Sequence, residues 1–434
     1  MKTLVLIGES SDLLISELGK LCAINKYDAD NLDAVDGFVF DLKNDDAIIE
    51  EDYLVKCRED KIPIILLNAN ADKICKLFGL GLQSNIVIIT FNDNSTVFQP
   101  INTDVLIDNG IEKFIEVKTA ENGKRHMSDE NELPLSGYNV SGNDLNESKL
   151  AKIIENNITK KNLMLMDEKI EQLLSVPIDL PAKQYHFYFV DINFDYNNLE
   201  GQIAENRVTF CVALIASFNP KCKYVRVGCV GAGCNPTGGK SMKWDDTYNR
   251  GYFQKAIHIN MLPSSSKIST YETSPKNLNN QTSYTAETSF TVGVDISKEP
   301  SFNASYTVTD SVTSTVSDFD IQNNSSGLTA HWDFEMGITK SSIWDLFNEP
   351  AMRKAQVKEL PNLAKKNFQP VCEAVWRVNN DPVFRESVTF EFSLLIDYYH
   401  CWVTGDWTNY VKHYRHCWPS SVNRIILDFD AVNC

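Results

Sequence analysis

Three histidines near the end of the chain, His400, His413 and His416, are the side chains whose type and clustering could support metal or proton chemistry, because imidazole both ligates metals and titrates near neutral pH. No carboxylate lies at a suggestive spacing from them, so they read as surface or packing residues and no metal site is expected. Cys222, Cys229 and Cys234 follow a Cys-x6-Cys-x4-Cys spacing and lack the CxxC pair or histidine partner of a zinc site. There is no GxSxG, HExxH or P-loop, and Asp245-Asp246 and Asp129–Glu132 read as a solvated turn and linker. Catalytic residues and cofactors are not expected, and an enzyme is the weaker class.

The chemistry that the sequence offers is interfacial. Ile338–Met352 carries Trp344, Leu346 and Phe347 with Lys340 inside it and Arg353 just beyond. Trp402–Trp418 carries Trp402, Trp407, Tyr410, Lys412, Tyr414 and Arg415. Amphipathic aromatics suit a membrane surface, and aromatic faces attract choline by cation–π interaction. Trp344, Phe347, Trp402, Trp407, Tyr410, Tyr414 and Arg415 are therefore the membrane-contact candidates, and a bilayer containing phosphocholine or cholesterol is the candidate partner. Trp332 and Trp376 sit in strand-like alternation and read as core.

Residues 283–321 have a second unusual texture. Phe290, Val292, Val294 and Ile296 alternate with Thr291, Gly293, Asp295 and Ser297. After the polar turn Ser297-Lys298-Glu299-Pro300-Ser301, Phe302, Ala304, Tyr306 and Val308 alternate with Asn303, Ser305, Thr307 and Thr309. Each arm is longer than the roughly 9–11 residues that a tilted strand needs to cross a bilayer. One face suits lipid and the other, small and mostly uncharged, suits a water-filled lumen. A half-solvated hairpin of a β-sandwich has the same alternation, although with more Lys, Glu and Arg on its wet face. One hairpin cannot close a barrel, since its edges would leave amides unpaired in hydrocarbon. Spanning would thus require several chains.

These segments need a scaffold, and the rest of the sequence describes one. The chain has 434 residues and a formal net charge of −17, which favours two domains and argues against nucleic acid as a partner. Residues 1–118 alternate short apolar runs (Leu4–Ile7, Gly37–Leu42, Ile62–Leu67, Ile86–Phe91) with helical patterns (Asp12–Leu21, Asp46–Arg58), as in a small α/β domain with a mainly parallel sheet. Gly79-Leu80-Gly81-Leu82 reads as a turn. Residues 119–182 read as a connector, part loop and part helix, in which Lys124, Arg125, Lys160 and Lys161 are candidate cleavage sites. From residue 183 to 434 the pattern is all-β, with strands expected at His186–Phe194, Arg207–Phe218, Ala374–Val378, Val388–Ile396 and Arg424–Phe429. Eight cysteines in this region are compatible with disulfides. The first residues, Met1–Gly8, read as a strand and not as a secretory leader.

Taken in chain order, these stretches resemble the leukocidin/haemolysin superfamily of β-barrel pore-forming toxins, and most of all the branch that contains Vibrio cholerae cytolysin. The similarity runs through Phe78–Pro100, Phe187–Asn193, Val225–Val230, Phe290-Thr291-Val292-Gly293-Val294, Phe368-Gln369-Pro370-Val371 with Ala374–Val378, Val388–Asp397, Tyr398–Tyr414 and Ile425–Asp430. It implies an α+β multidomain chain: a small α/β pro-domain that aids folding and is removed by proteolysis, then a leukocidin-like β-sandwich with a rim and a pre-stem hairpin at about 283–321. It also implies secretion or release, docking on a target-cell membrane, and assembly into a homo-oligomer, commonly a heptamer, with one hairpin per protomer in the barrel. The sequence reads as ending without that toxin's lectin modules, which leaves a glycan or protein receptor as a possible further partner. The alternative is a non-lytic β-sandwich that binds membranes or glycans as an adhesion protein.

Overall fold

The computed structural model describes residues 2–7, 13–26, 35–43, 51–82, 84, 86–91, 96–101, 110–134, 147–159, 182–199, 202–218, 221–235, 247–275, 277, 319–339, 341–351, 353–361, 364, 370, 372–379, 381 and 383–432. The N-terminal part runs β1 (Thr3–Ile7), α1 (Leu13–Leu21), β2 (Ala23–Lys26), β3 (Gly37–Asp41), α2 (Glu51–Glu59), β4 (Ile64–Leu67), α3 (Ala71–Phe78), β5 (Leu80–Leu82), β6 (Ile86–Phe91) and β7 (Thr96–Pro100). The short β-branched runs are buried strands, as their composition requires, and α3 starts where the Asn70 side chain accepts from the Asp72 amide at 2.9 Å. Strands β2-β1-β3-β4 are parallel. The expectation of a mainly parallel sheet holds only that far, because β6 and β7 add antiparallel.

Next come β8 (Ile111–Thr119), β9 (Arg125–Met127), β10 (Asn131–Pro134) and α4 (Glu147–Thr159). Residues 119–134, expected in a connector, instead form a strand end and two short strands, with β9 and β10 both paired to β8. Their polar, exposed composition concealed a role as an edge ribbon. Helix α4 packs Leu150, Ala151 and Ile154 with Leu14 and Leu18 of α1 over one face of the N-terminal sheet.

Among the described residues the remainder is mainly β, with short 3-10 turns at Gly337–Thr339, Ile343–Leu346 and Phe429–Ala431: β11 (Ala182–Leu199), β12 (Gln202–Phe218), β13 (Lys221–Asn235), β14 (Asn249–Pro263), β15 (Ile268–Ser274), β16 (Phe319–Asn323), β17 (Ala330–Met336), β18 (Phe347–Asn348), β19 (Gln356–Val357), β20 (Cys372–Val378), β21 (Ser387–Gly405), β22 (Asn409–Cys417) and β23 (Ser420–Asp428). One sheet has the order β15-β20-β13-β12-β11-β7-β6-β4-β3-β1-β2, and the other β10-β8-β22-β21-β14-β17-β16, with β23 paired to β21 and β5. The sheets meet face to face through apolar alternation: Phe210 stacks on Phe392 at 4.8 Å, and the Tyr398 hydroxyl donates to Asn206 Oδ1 at 2.7 Å. Trp332 and Trp376 are fully buried, and their indoles donate to the carbonyls of Pro275 and Leu328, so each large ring keeps its N–H satisfied.

The N-terminal strands are continuous with both sheets. β7 pairs in parallel with β11, and β5 pairs with β23. The segment Gly79–Leu82, expected as a turn, is therefore a turn followed by a sheet strand. Gly81 is required there, since a Cβ would lie 2.1 Å from the Ala71 carbonyl oxygen. Among the described residues nine cysteines carry free, buried thiols, which corrects the disulfide expectation for Cys211, Cys222, Cys229, Cys372, Cys401 and Cys417. They lie in apolar strand and helix interiors, where Cys behaves as a small hydrophobe. Cys229 and Cys372 face each other across β13 and β20, and burial pushes the Cys372 thiol well above its ordinary value.

Candidate membrane-facing site

Strands β21 and β22 pair with each other and join in a tight hairpin. Gly405 takes φ +90° at the turn, and Asp406 Oδ1 accepts from the Thr408 amide at 2.9 Å, the Thr408 hydroxyl at 2.6 Å and the Asn409 amide at 2.8 Å. Those bonds hold the Asp406 carboxyl below the usual carboxylate range. The loop is thus held by the Asp406 carboxylate, and Trp407 at its tip is left 61% exposed.

Below the tip the hairpin is aromatic on both faces, because alternate positions of each strand share a face. On one face Trp402 stacks on His413 with centroids 4.8 Å apart and planes 3° from parallel. The Arg415 guanidinium carbon lies 5.1 Å from the Trp402 centroid, and Arg415 Nε donates to Glu112 Oε2 at 3.0 Å. His400 lies 4.6 Å from Trp402. It is buried, with Nε2 bonded to Asn249 Oδ1 at 3.0 Å and Nδ1 without a partner. Burial, reinforced by His413, depresses its pKa to about 4.

On the other face Tyr410, Lys412 and Tyr414 are buried beneath the segment that carries Trp344 and Phe347. Trp344 meets Tyr414 edge-on at 4.9 Å and donates its indole N–H to Glu130 Oε2 at 2.8 Å. Burial alone would raise the Glu130 pKa, but that bond and the Lys113 ammonium together hold it low. Lys412 Nζ pairs with Glu349 at 2.7 Å. Arg125 donates to the carbonyls of Pro350 and Arg353 at 2.6 and 2.8 Å and lies over the Tyr410 ring.

Of the membrane-contact candidates, Trp407 is the exposed one, Trp402, Arg415 and Trp344 are half-buried, and Phe347, Tyr410 and Tyr414 are interior. Spacing in sequence could not separate Tyr410 and Tyr414 from the rest, because the layer that covers them comes from residues 344–347. Arg125, a cleavage candidate, is engaged by the 349–353 segment, while Lys124 lies exposed in the turn before it. Lys160 and Lys161 lie outside the described residues. So do all the hairpin positions Phe290, Thr291, Val292, Val294, Asp295, Ile296, Phe302, Asn303, Ala304, Ser305, Tyr306, Thr307, Val308 and Thr309.

The two roots of that hairpin are described, and they are clasped together. β15 ends the first sheet at Ser274, and β16 opens an edge of the second at Phe319. Asn323 ties them: its Nδ2 donates to Thr273 Oγ1 at 3.0 Å and to the Pro275 carbonyl at 2.8 Å, and its amide donates to Asn277 Oδ1 at 2.6 Å. Trp332 adds its bond to Pro275 at 3.1 Å. No local pattern announces this clasp, which joins residues far apart in the chain. Among the described residues no helix is long and apolar enough to cross a membrane.

No protein-family model matches the chain, and no curated protein matches it. Among solved structures it is similar to Clostridium perfringens delta-toxin, with 15% identity over 57% of this chain and 92% of that one and a TM-score of 0.36. It is also similar to the membrane-inserted form of the Clostridium perfringens NetB toxin, with 13% identity, 57% and 98% coverage and a TM-score of 0.35. A third similar chain, described as a pore forming protein, has 11% identity, 55% and 97% coverage and a TM-score of 0.34.

Proposed function

We propose that this chain is a pore-forming cytolysin of the leukocidin/haemolysin type, arranged as in the branch containing Vibrio cholerae cytolysin. The observation that carries the reading is the pairing of sequence and attachment. An amphipathic, Ser/Thr-rich run long enough for two membrane-crossing strands is inserted between two strand ends that are clasped by Asn323 and Trp332. Such an insert can leave the body of the protein without unravelling either sheet, because the clasp stops strain at its roots. Docking is assigned to the β21–β22 hairpin, with the exposed Trp407 as the first anchor and the half-buried Trp402 and Arg415 behind it. Several protomers then donate one hairpin each, and a closed barrel satisfies every backbone amide. A ring of seven is the size proposed, on secreted or released protein at a target-cell membrane.

The N-terminal strands fit the role of a removable cover. β7 occupies an edge of β11, and β5 occupies an edge of β23, so both edges are unavailable for pairing with another chain. Cleavage between residues 119 and 182, at Lys160-Lys161 or beside Lys124, would allow that cover to depart. The domain division proposed is thus 1–118, 119–182 and 183–434, and because β8 lies on the cover's side of either cut, departure of the cover requires β8 to release β22 as well.

The test is dye release from phosphatidylcholine–cholesterol liposomes by intact and trypsin-nicked protein, with detergent-resistant oligomers followed on gels. Release and oligomers after nicking support the proposal. Tight binding with neither release nor oligomers would move the assignment to a non-lytic membrane or glycan-binding protein.

A further inference from the structure

On the outer face of the second sheet, away from the hairpin tip, polar side chains line up across four strands. Asp333 of β17 accepts on one oxygen, Oδ1, from two imidazoles: His258 Nδ1 of β14 at 2.5 Å and His331 Nε2 of its own strand at 2.8 Å. The two strands are in register here, with His258 opposite Asp333. Each of the three side chains is between a fifth and a third exposed. Asp397 of β21 lies on the far side of His258, with Oδ2 3.5 Å from Nε2, and its other oxygen takes His416 Nε2 of β22 at 3.2 Å. Asn324 Nδ2 donates to the second oxygen of Asp333 at 2.7 Å. The His331 amide donates to Ser325 Oγ at 3.0 Å.

We propose that His258, His331 and Asp333 form a binding site for a divalent transition metal ion of the zinc type. The donor atoms Nδ1, Nε2 and Oδ1 all lie within 4.8 Å of one another. A tetrahedral ion with bonds of about 2.0–2.1 Å holds its ligands about 3.3 Å apart, so the two imidazoles need open by less than about 1 Å to admit it. Two histidines and a carboxylate leave a fourth position, which faces solvent and would take water. The surrounding groups are those that orient ligands in metal sites. Asp397 sits where it accepts the Nε2–H of His258, which leaves the Nδ1 lone pair for the ion, and Asn324 fixes the rotation of the Asp333 carboxylate. A salt-bridged cluster without a metal is the competing account. In that account both ring nitrogens carry protons donated to Asp333 Oδ1, and in the metal site the ion takes the place of those protons.

The experiment uses the full chain, stripped with a chelator and dialysed, and titrated with zinc chloride by calorimetry and with cobalt chloride by visible absorption. One equivalent of zinc per chain is expected. The cobalt complex should show visible ligand-field bands without intense near-ultraviolet thiolate bands, which separates this site from the buried cysteines. His331→Gln, at a partly exposed position, should abolish the equivalent while circular dichroism stays that of the parent. Asp397→Asn should weaken affinity about 10–100-fold. No stoichiometric binding by the parent, or binding unchanged in H331Q, would overturn the proposal.

Discussion

His400 gives a prediction whose size follows from the structure. Its ring is enclosed by Tyr252 at 5.0 Å and Trp402 at 4.6 Å, Nε2 is bonded to Asn249, and Nδ1 has no acceptor. Protonation would place a charge and an unpaired donor in that pocket, next to His413, so burial holds its pKa at about 4 instead of the ordinary 6.5. The unfolded chain then takes up a proton that the folded chain refuses. Stability due to this group is intact above the unfolded value and falls as pH drops from there toward about 4. Between pH 7 and pH 5 the linkage amounts to about 2 kcal/mol. The assay is urea unfolding at pH 7 and pH 5, comparing the parent with His400→Gln, whose amide can still donate to Asn249. The acid-induced loss should be smaller in the variant by about 2 kcal/mol. Equal losses would refute the claim that His400 is held neutral.

Trp407→Ala should leave stability within about 0.5 kcal/mol, since the ring touches water, while weakening liposome binding about tenfold in a sedimentation assay, the loss of part of a large apolar contact. Gly81→Ala should destabilise by about 1–3 kcal/mol through the clash with Ala71, read as a lowered urea midpoint. Asn323→Ala removes both side-chain bonds of the clasp; it should cost about 1–2 kcal/mol, read as a lowered urea midpoint.

The elements whose residues carry their own local signal were readable in the sequence. Ile64–Leu67 and Ile86–Phe91 announce buried strands by composition, and the alternation of Val388–Ile396 announces a strand with one face buried. Gly79–Leu82 was not readable as a strand, because its partner Ile425–Leu427 lies at the other end of the chain and three short residues give no period. Residues 125–134 were missed for a related reason, since an edge ribbon packs little and looks like a linker. Tyr410 and Tyr414 looked the same as Trp407 in spacing, and only the overlying segment at 344–347 distinguishes interior from tip. The histidine reading shows the same limit most clearly. The carboxylates that engage His413 and His416 are Glu112 and Asp397, and the His258–His331–Asp333 group comes from two strands that are neighbours only in the sheet. Sheet register, which local sequence does not encode, brings those atoms together.

The central claim is that residues 283–321 cross the bilayer with alternate faces to lipid and to water. Its most direct test is dye release by nicked protein carrying an arginine at one of two positions in the same hairpin arm, Val294→Arg on the apolar face and Thr291→Arg on the polar face. A lipid-facing arginine near the midplane costs about 2–4 kcal/mol per strand, repeated in every protomer of a ring. V294R should therefore abolish release while still binding liposomes, and T291R should release dye as the parent does, with its pore shifted toward anion selectivity. Equal release by both variants, or equal loss, would contradict the account.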